Sequence, residues 1–395
     1  MNAESGVGIA PSSDLWCGAD DLAGRLRSRA LSSVELVGTV LARIEQMDPV
    51  LNTFISVTAT DALDAAAQAD AELARGEDRG PLHGLPIGIK DAIDVAGVLG
   101  TFGSRILGDR RAPDDAALIR ALRSAGVVIV GKQNLHEFAY GITGENPHFG
   151  DTANPWDPAR VAGGSSGGTA ASIAGGLVPL GVGTDTGGSV RIPAAMCGVV
   201  GLKPTYGAVS REGVLPLAWS LDHVGPLARR VLDCFRLLDA MIGTGNRTRV
   251  VRGAADAGLN GTRIGVPRHH FFHGIDPGVE TTVRGAIDVL AGGGARLVDV
   301  ALPHAVHAQA GAAAVMGAEA ACWHGGWLQE RPHDYGADVL LRLRQGALTR
   351  AVDYLDGQKL RTILQQEFHA AFESVDVIVS PTVPIVAPAP RDRRR

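Results

Sequence analysis

The chain has 395 residues, 45% of them hydrophobic and 20% charged, with a formal net charge of −5. That is enough apolar sequence for a large core, in one big domain or two. The 37 basic and 42 acidic residues are spread along the chain and the one basic run is the terminal Arg391-Asp-Arg-Arg-Arg, which argues against a direct nucleic-acid-binding surface.

In chain order, Ser32-x-x-Glu35 is a capping box, and the apolar residues of 34–45 recur at helical spacing, so the spacing predicts an opening helix. A second helix is expected over the alanine-rich 61–75, then a strand ending at Lys90, a helix over Ala116–Ser124 and a short buried strand at Val127–Val130. The alternation continues with strands at Val178–Gly183, Val199–Leu202 and Ile264–Val266, a helix over 278–291, and strands at Leu297–Val300 and Val375–Val379. Strands and helices alternating at this pitch indicate an α/β layer structure. No internal repeat is visible, and residues 243–263 read as a surface linker.

Three serines sit among glycines in the runs Gly-Gly-Ser-Ser-Gly-Gly-Thr (163–169) and Gly-Thr-Asp-Thr-Gly-Gly-Ser-Val-Arg-Ile-Pro (183–193). A serine flanked by glycines can be approached by a substrate and served by bare backbone N–H groups, which suits a nucleophile. Gly187-Gly188-Ser189 leads toward a helix start near Val190, so an oxyanion formed at Ser189 would face the amides of Thr186, Gly187, Gly188 and Ser189. Taken alone, Gly-Gly-Ser is more commonly the mark of a helix cap after a turn. Lys90 lies in Pro-Leu-His-Gly-Leu-Pro-Ile-Gly-Ile-Lys-Asp-Ala (81–92), where strand alternation puts it on the side of Gly88, with space over it. A partly desolvated lysine there has a depressed pKa and accepts a proton near neutrality, but this segment alone favours a solvated strand-end lysine paired with Asp91.

Together with Cys-Gly-Val-Val-Gly-Leu-Lys-Pro-Thr-Tyr-Gly (197–207), these segments resemble the amidase signature family in order and spacing, from about Leu31 to about Pro390. The resemblance implies a mixed, twisted central sheet flanked by helices in one domain spanning 1–395, with N-terminal helices over about 19–78, a core over about 79–242 and a remainder over about 263–390. It also implies Ser189 as nucleophile, Ser165 in a cis peptide as the bridging serine, and Lys90 as base. Thr186, Gly187 and Gly188 then bind the oxyanion, and Asp185 with Arg191 braces their loop.

The implied activity is hydrolysis of the C–N bond of a small linear carboxamide through an acyl-enzyme, with no cofactor and no metal. The alternatives are the glutaminase subunit of a tRNA-dependent amidotransferase, which hands ammonia to partner subunits, and an inactive scaffold of the same fold. The partners expected are thus a small amide and either a second copy of the chain or amidotransferase subunits. The family pattern continues past Ser380-Pro-Thr-Val-Pro (380–384), so the C-terminal part is expected to be short, with an unpaired sheet edge and exposed apolar surface.

Gly163-Gly-Ser-Ser-Gly167 also fits an α/β-hydrolase elbow centred on Ser165, with Asp299 and His324 as partners, but that arrangement leaves Lys90 and Gly187-Gly188-Ser189 unexplained. His269, His270 and His273 have spacings that would suit a metal, yet lack an accompanying Glu or Cys pattern and read as a loop cluster. Cys322 and His324 read as packing or pocket residues, and His136–Asn146 as either a substrate-lining loop with contacts from Tyr140 or a structural turn. Cys17, Cys197, Cys234 and Cys322 are far apart with no Cys-x-x-Cys pair, which predicts reduced thiols. No apolar run reaches membrane-spanning length and the N-terminus has no basic region or sustained apolar stretch, so a cytoplasmic protein without membrane contact is expected.

Overall fold

A computed structural model describes residues 13–243, 258–268 and 270–390. Most of the linker read at 243–263, together with His269 and the terminal arginine run, lies outside the described residues. The first elements are helices α1 (Ala19–Arg27) and α2 (Ser33–Leu51), strand β1 (Phe54–Val57), helix α3 (Ala59–Ala74) and strand β2 (Pro86–Lys90). Helix α4 (Ala117–Ser124) and strand β3 (Val128–Gln133) follow, then a hairpin of β4 (Ala153–Asn154) and β5 (Asp157–Val161). Next come α5 (Gly167–Ala174), β6 (Leu180–Asp185), α6 (Arg191–Cys197), β7 (Val200–Gly201), β8 (His223–Ala228) and α7 (Val231–Ile242). The remainder holds β9 (Arg263–Pro267), α8 (Pro277–Gly292), β10 (Arg296–Val300), α9 (Ala308–Glu330), α10 (Ala337–Ala347), α11 (Ala351–Ser374) and β11 (Val377–Ile378).

Six strands form a mixed sheet in the order β1-β3-β2-β6-β8-β7. Its centre, β3-β2-β6, is parallel, whereas β1 and β8 pair antiparallel. Parallel strands need both faces covered, and here they are. Ile87, Ile89, Leu180 and Val182 pack with α1, α4 and α7, while Val128, Val130 and Leu227 pack with α2, α3 and α5. Each such fully buried aliphatic side chain contributes about 1.5–3 kcal/mol. The predicted capping box is formed at α2: Ser32 Oγ accepts from Glu35 N, and Ser32 N donates to the Glu35 carboxylate.

A separate three-stranded sheet, β10-β9-β11, is parallel throughout. Its β11 is a two-residue edge strand with Val377 exposed. Residues 387 and 388 nevertheless close one gap in the hairpin, since Val161 N donates to the carbonyl of Pro388 at 2.9 Å and Arg160 reaches that of Ala387 at 2.6 Å.

Helices α9, α10 and α11 were not legible in the sequence. Helix α9 is in contact with both α10 and α11, so its alanines and glycines face several neighbours and leave no single apolar stripe to read. Gly317 of α9 and Gly346 of α10 touch backbone to backbone: a Cβ on Gly346 would run into the Gly317 carbonyl.

Candidate active site

The carboxyl ends of β2 and β6 carry the first two elements of the site. Lys90 closes β2, opposite Gln133 of β3, and its side chain is fully buried. Its Nζ lies 2.7 Å from Ser165 Oγ and 2.7 Å from Thr184 Oγ1. Burial pulls the amine from the ordinary lysine range down to about 7, against the opposing attraction of Asp185 and Asp222.

Two details differ from the sequence reading. The space beside Gly88 is filled, because the Gln133 carboxamide occupies the volume a Cβ would take, so Lys90 is desolvated by packing and not by a void. Asp91 does not partner Lys90 either: it pairs with Lys132 at 2.8 Å, both side chains being fully buried, and accepts from Thr101 Oγ1 at 2.6 Å.

Ser165 follows a cis peptide bond from Gly164 and is fully buried at the turn into α5. Glycine is required at 164, where a Cβ would come within 2.7 Å of Gly144 N and 3.1 Å of Gly141 O. Ser166 N donates to Ser189 O at 3.1 Å, which ties the two glycine-flanked serine loops side by side.

The Ser189 end of the loop from β6 to α6 is organised by the Asp185 carboxylate. Asp185 accepts from Gly188 N at 2.8 Å and Val190 N at 3.1 Å, and from Arg191 through Nε at 2.9 Å and Nη2 at 2.8 Å. Burial alone would raise the Asp185 carboxyl, but the Arg191 guanidinium and these backbone amides hold it below its usual range. The expected brace between Asp185 and Arg191 is therefore present. Gly188, however, has to leave the expected set of oxyanion donors, because its N–H is turned onto Asp185; the candidate amides are those of Thr186, Gly187 and Ser189.

Ser189 and Gly187 open onto a cavity of about 500 Å³ whose other walls include Tyr140, Ile142, Leu217, Met316 and Arg342. The loop at 136–146 thus lines this cavity, through Ala139–Ile142. Arg342 Nη1 donates to Tyr140 O at 2.7 Å and to Asp338 Oδ2 at 2.8 Å, and His136 Nε2 lies 2.9 Å from the same Asp338 oxygen. Burial would raise the Asp338 carboxyl, yet His136 and Arg342 drive it far below the usual range.

Other candidates lie apart. His324 is buried against Phe138, Trp323, Trp327 and Tyr335 and bonds the Tyr335 hydroxyl at 2.8 Å. Burial takes its imidazole down to about 3. Asp299 instead pairs with Arg268 on the surface at 2.7 Å, and the structure does not bring it to Ser165 and His324. Cys322 is exposed while His324 is buried, so the two do not face one another. Among the described residues no group of three His, Cys, Asp or Glu is placed to hold a metal, and no helix is long and apolar enough to cross a membrane. Sequence reasoning passed over Thr184, Lys132, Asp222 and Arg342. The first lies inside the Gly183–Pro193 run and was open to notice, while the others meet the site only through tertiary pairing.

The family profile described as Amidase matches residues 35–395. The A subunit of glutamyl-tRNA(Gln) amidotransferase from Chloroflexus aurantiacus is 42% identical over 389 residues, covering 90% of this chain and 80% of the relative. A structure solved in work on a vestigial protein complex and the origins of an s-triazine catabolic enzyme has a TM-score of 0.89 at 36% identity, covering 94% of this chain and 83% of that one. A structure solved as an amidase has a TM-score of 0.87 at 34% identity, with the same coverage of 94% and 83%. The profile, the shared fold and the serine–lysine constellation lead to one assignment: this chain belongs to the amidase signature family, whose enzymes act on carbon–nitrogen bonds.

Proposed function

We propose that the chain cleaves a carboxamide through Ser189, with Ser165 and Lys90 as its proton relay, and that the amide is the ammonia source of an amidotransferase reaction of the glutamine type. The observation that carries the chemistry is the buried Lys90 amine, 2.7 Å from Ser165 Oγ and titrating at about 7. A neutral amine takes a proton from Ser165, and Ser165 takes one from Ser189 as its Oγ attacks the carbonyl carbon. The new oxyanion is met by backbone amides of the loop at Thr186, Gly187 and Ser189, each typically worth about 10²–10³ in rate. The C–N bond then breaks, the relay returns its proton to the departing nitrogen, and water hydrolyses the acyl-serine to regenerate the hydroxyl.

The amidotransferase form of the reading is supported by the glutamyl-tRNA(Gln) amidotransferase relatives and by Arg342 in the cavity wall, whose guanidinium keeps N–H groups for a polar substrate end beyond the Nη1 that holds Asp338 and Tyr140. Under it, partner subunits receive the ammonia. A second reading, free-standing hydrolysis of a small amide, is favoured by the neighbouring structure solved as an amidase and by the largely apolar walls at Ile142, Leu217 and Met316. Ammonia release from glutamine and from a panel of simple amides, measured beside Ser189→Ala, tests both. Turnover of glutamine over the simple amides, lost in Ser189→Ala, supports the first reading; preference for simple amides supports the second; turnover that survives in Ser189→Ala overturns the shared mechanism.

A further inference from the structure

The antiparallel register of β6 and β8 sets Asp185 opposite His223, so one step further along the pair Thr186 faces Asp222. Thr186 Oγ1 donates to Asp222 Oδ1 at 2.6 Å. The same carboxylate accepts from Leu217 N at 3.0 Å and from Ala218 N at 3.1 Å. Asp222 is buried, and an ionised acceptor with three donors makes stronger bonds than a neutral one. Its partners belong to two different parts of the site: Thr186 to the loop that precedes Ser189, Leu217 to the cavity wall.

From this we infer that Asp222 is a positioning residue: its carboxylate fixes the Thr186 end of the oxyanion loop against the Leu217 wall and supplies a negative charge to the Lys90 environment. This rests on the reading of Ser189, Ser165 and Lys90 given above. Asp185 fixes the far end of the loop through Gly188, Val190 and Arg191, so the loop is held by one carboxylate at each end. The charged and titratable groups facing this arrangement are Lys90, Asp185, Arg191, Lys203 and His223, with Arg211 acting on Asp222 itself. Burial raises the Asp222 carboxyl, while the Thr186 hydroxyl, the two amides and Arg211 oppose that shift. The attraction of Asp222 for Lys90 raises the lysine against its desolvation. Removing the charge therefore moves the Lys90 titration to lower pH.

The test is the rate at which a fluorophosphonate labels Ser189 as a function of pH, in the wild type, Asp222→Asn and Thr186→Val, with folding checked by circular dichroism. In the wild type the rate is expected to rise with pH through a midpoint near 7. Asp222→Asn is expected to label about 10-fold more slowly at its plateau, with the midpoint moved below that of the wild type. Thr186→Val keeps the charge and loses only the tie, so it is expected to slow without moving the midpoint. A folded Asp222→Asn with wild-type rate and midpoint, or a folded Thr186→Val with wild-type rate, overturns the inference while leaving the relay standing. Absence of Ser189 labelling in the wild type overturns the relay and this inference together. If Asp222→Asn does not fold, Thr186→Val decides alone.

Discussion

Lys90 combines two demands that pull against each other. Its unfolded chain holds a proton up to the ordinary lysine value of 10.5, whereas the buried amine gives it up at about 7. The unfolded state therefore binds more protons between these values, and stability rises with pH across that window. Burying Lys90 costs an amount that grows as pH falls from about 10.5 to about 7 and is constant below. Methionine has no such proton. Lys90→Met is expected to gain stability relative to the wild type toward pH 7, and to lose that advantage as pH approaches 10.5. Chemical denaturation of the two proteins at a series of pH values checks this; a stability difference that does not vary with pH contradicts the assigned titration.

The site depends on two further elements, the β6–α6 loop and the α9–α10 contact. In Asp185→Asn the side chain has one acceptor in place of two and no charge for Arg191, so Gly188, Val190 and Arg191 cannot all be kept. The expected result is a fall in kcat of roughly 10–10³-fold with KM little changed, since the loss falls on transition-state contacts. Steady-state kinetics on any turned-over amide measure it, and a rise in KM alone contradicts the proposed role. At the other contact, Gly346→Ala pushes a methyl into the Gly317 carbonyl and must separate α9 from α10, which form one wall of the cavity. Overpacking of this kind typically costs about 1–3 kcal/mol. A lowered Tm together with weakened substrate binding is the expected outcome, and an unchanged Tm means the two helices do not meet as described.

Across the whole molecule, what was legible in the sequence depended on how each element is covered. Strands β2, β3 and β6 are short apolar runs between breakers and read clearly, because parallel strands buried on both faces need little else. The amphipathic α2 and α3 were likewise readable from spacing and capping. Strand β8 was not, since Pro226 stands in the interior of His223-Val-Gly-Pro-Leu-Ala whereas Pro86 only opens β2, and neither was the α9–α11 layer, packed through glycines. Among the site residues, Lys90, Ser165 and Ser189 stand out because glycines mark close approach, but Asp222 and Arg342 enter through pairings across 36 and 202 residues of sequence, which no local pattern records. The loss of Gly188 as a donor has the same origin: its amide is claimed by a side chain three positions back whose orientation the sequence leaves open. The central claim is that these residues act as one relay ending at Ser189. The most direct measurement is peptide mass spectrometry of the purified protein after reaction with a fluorophosphonate, beside Lys90→Ala and Ser189→Ala. The account predicts an adduct on Ser189 that is absent from Ser189→Ala and forms about 10²–10⁴-fold more slowly in Lys90→Ala. An adduct on Ser165, or equal labelling of the wild type and Lys90→Ala, would contradict it.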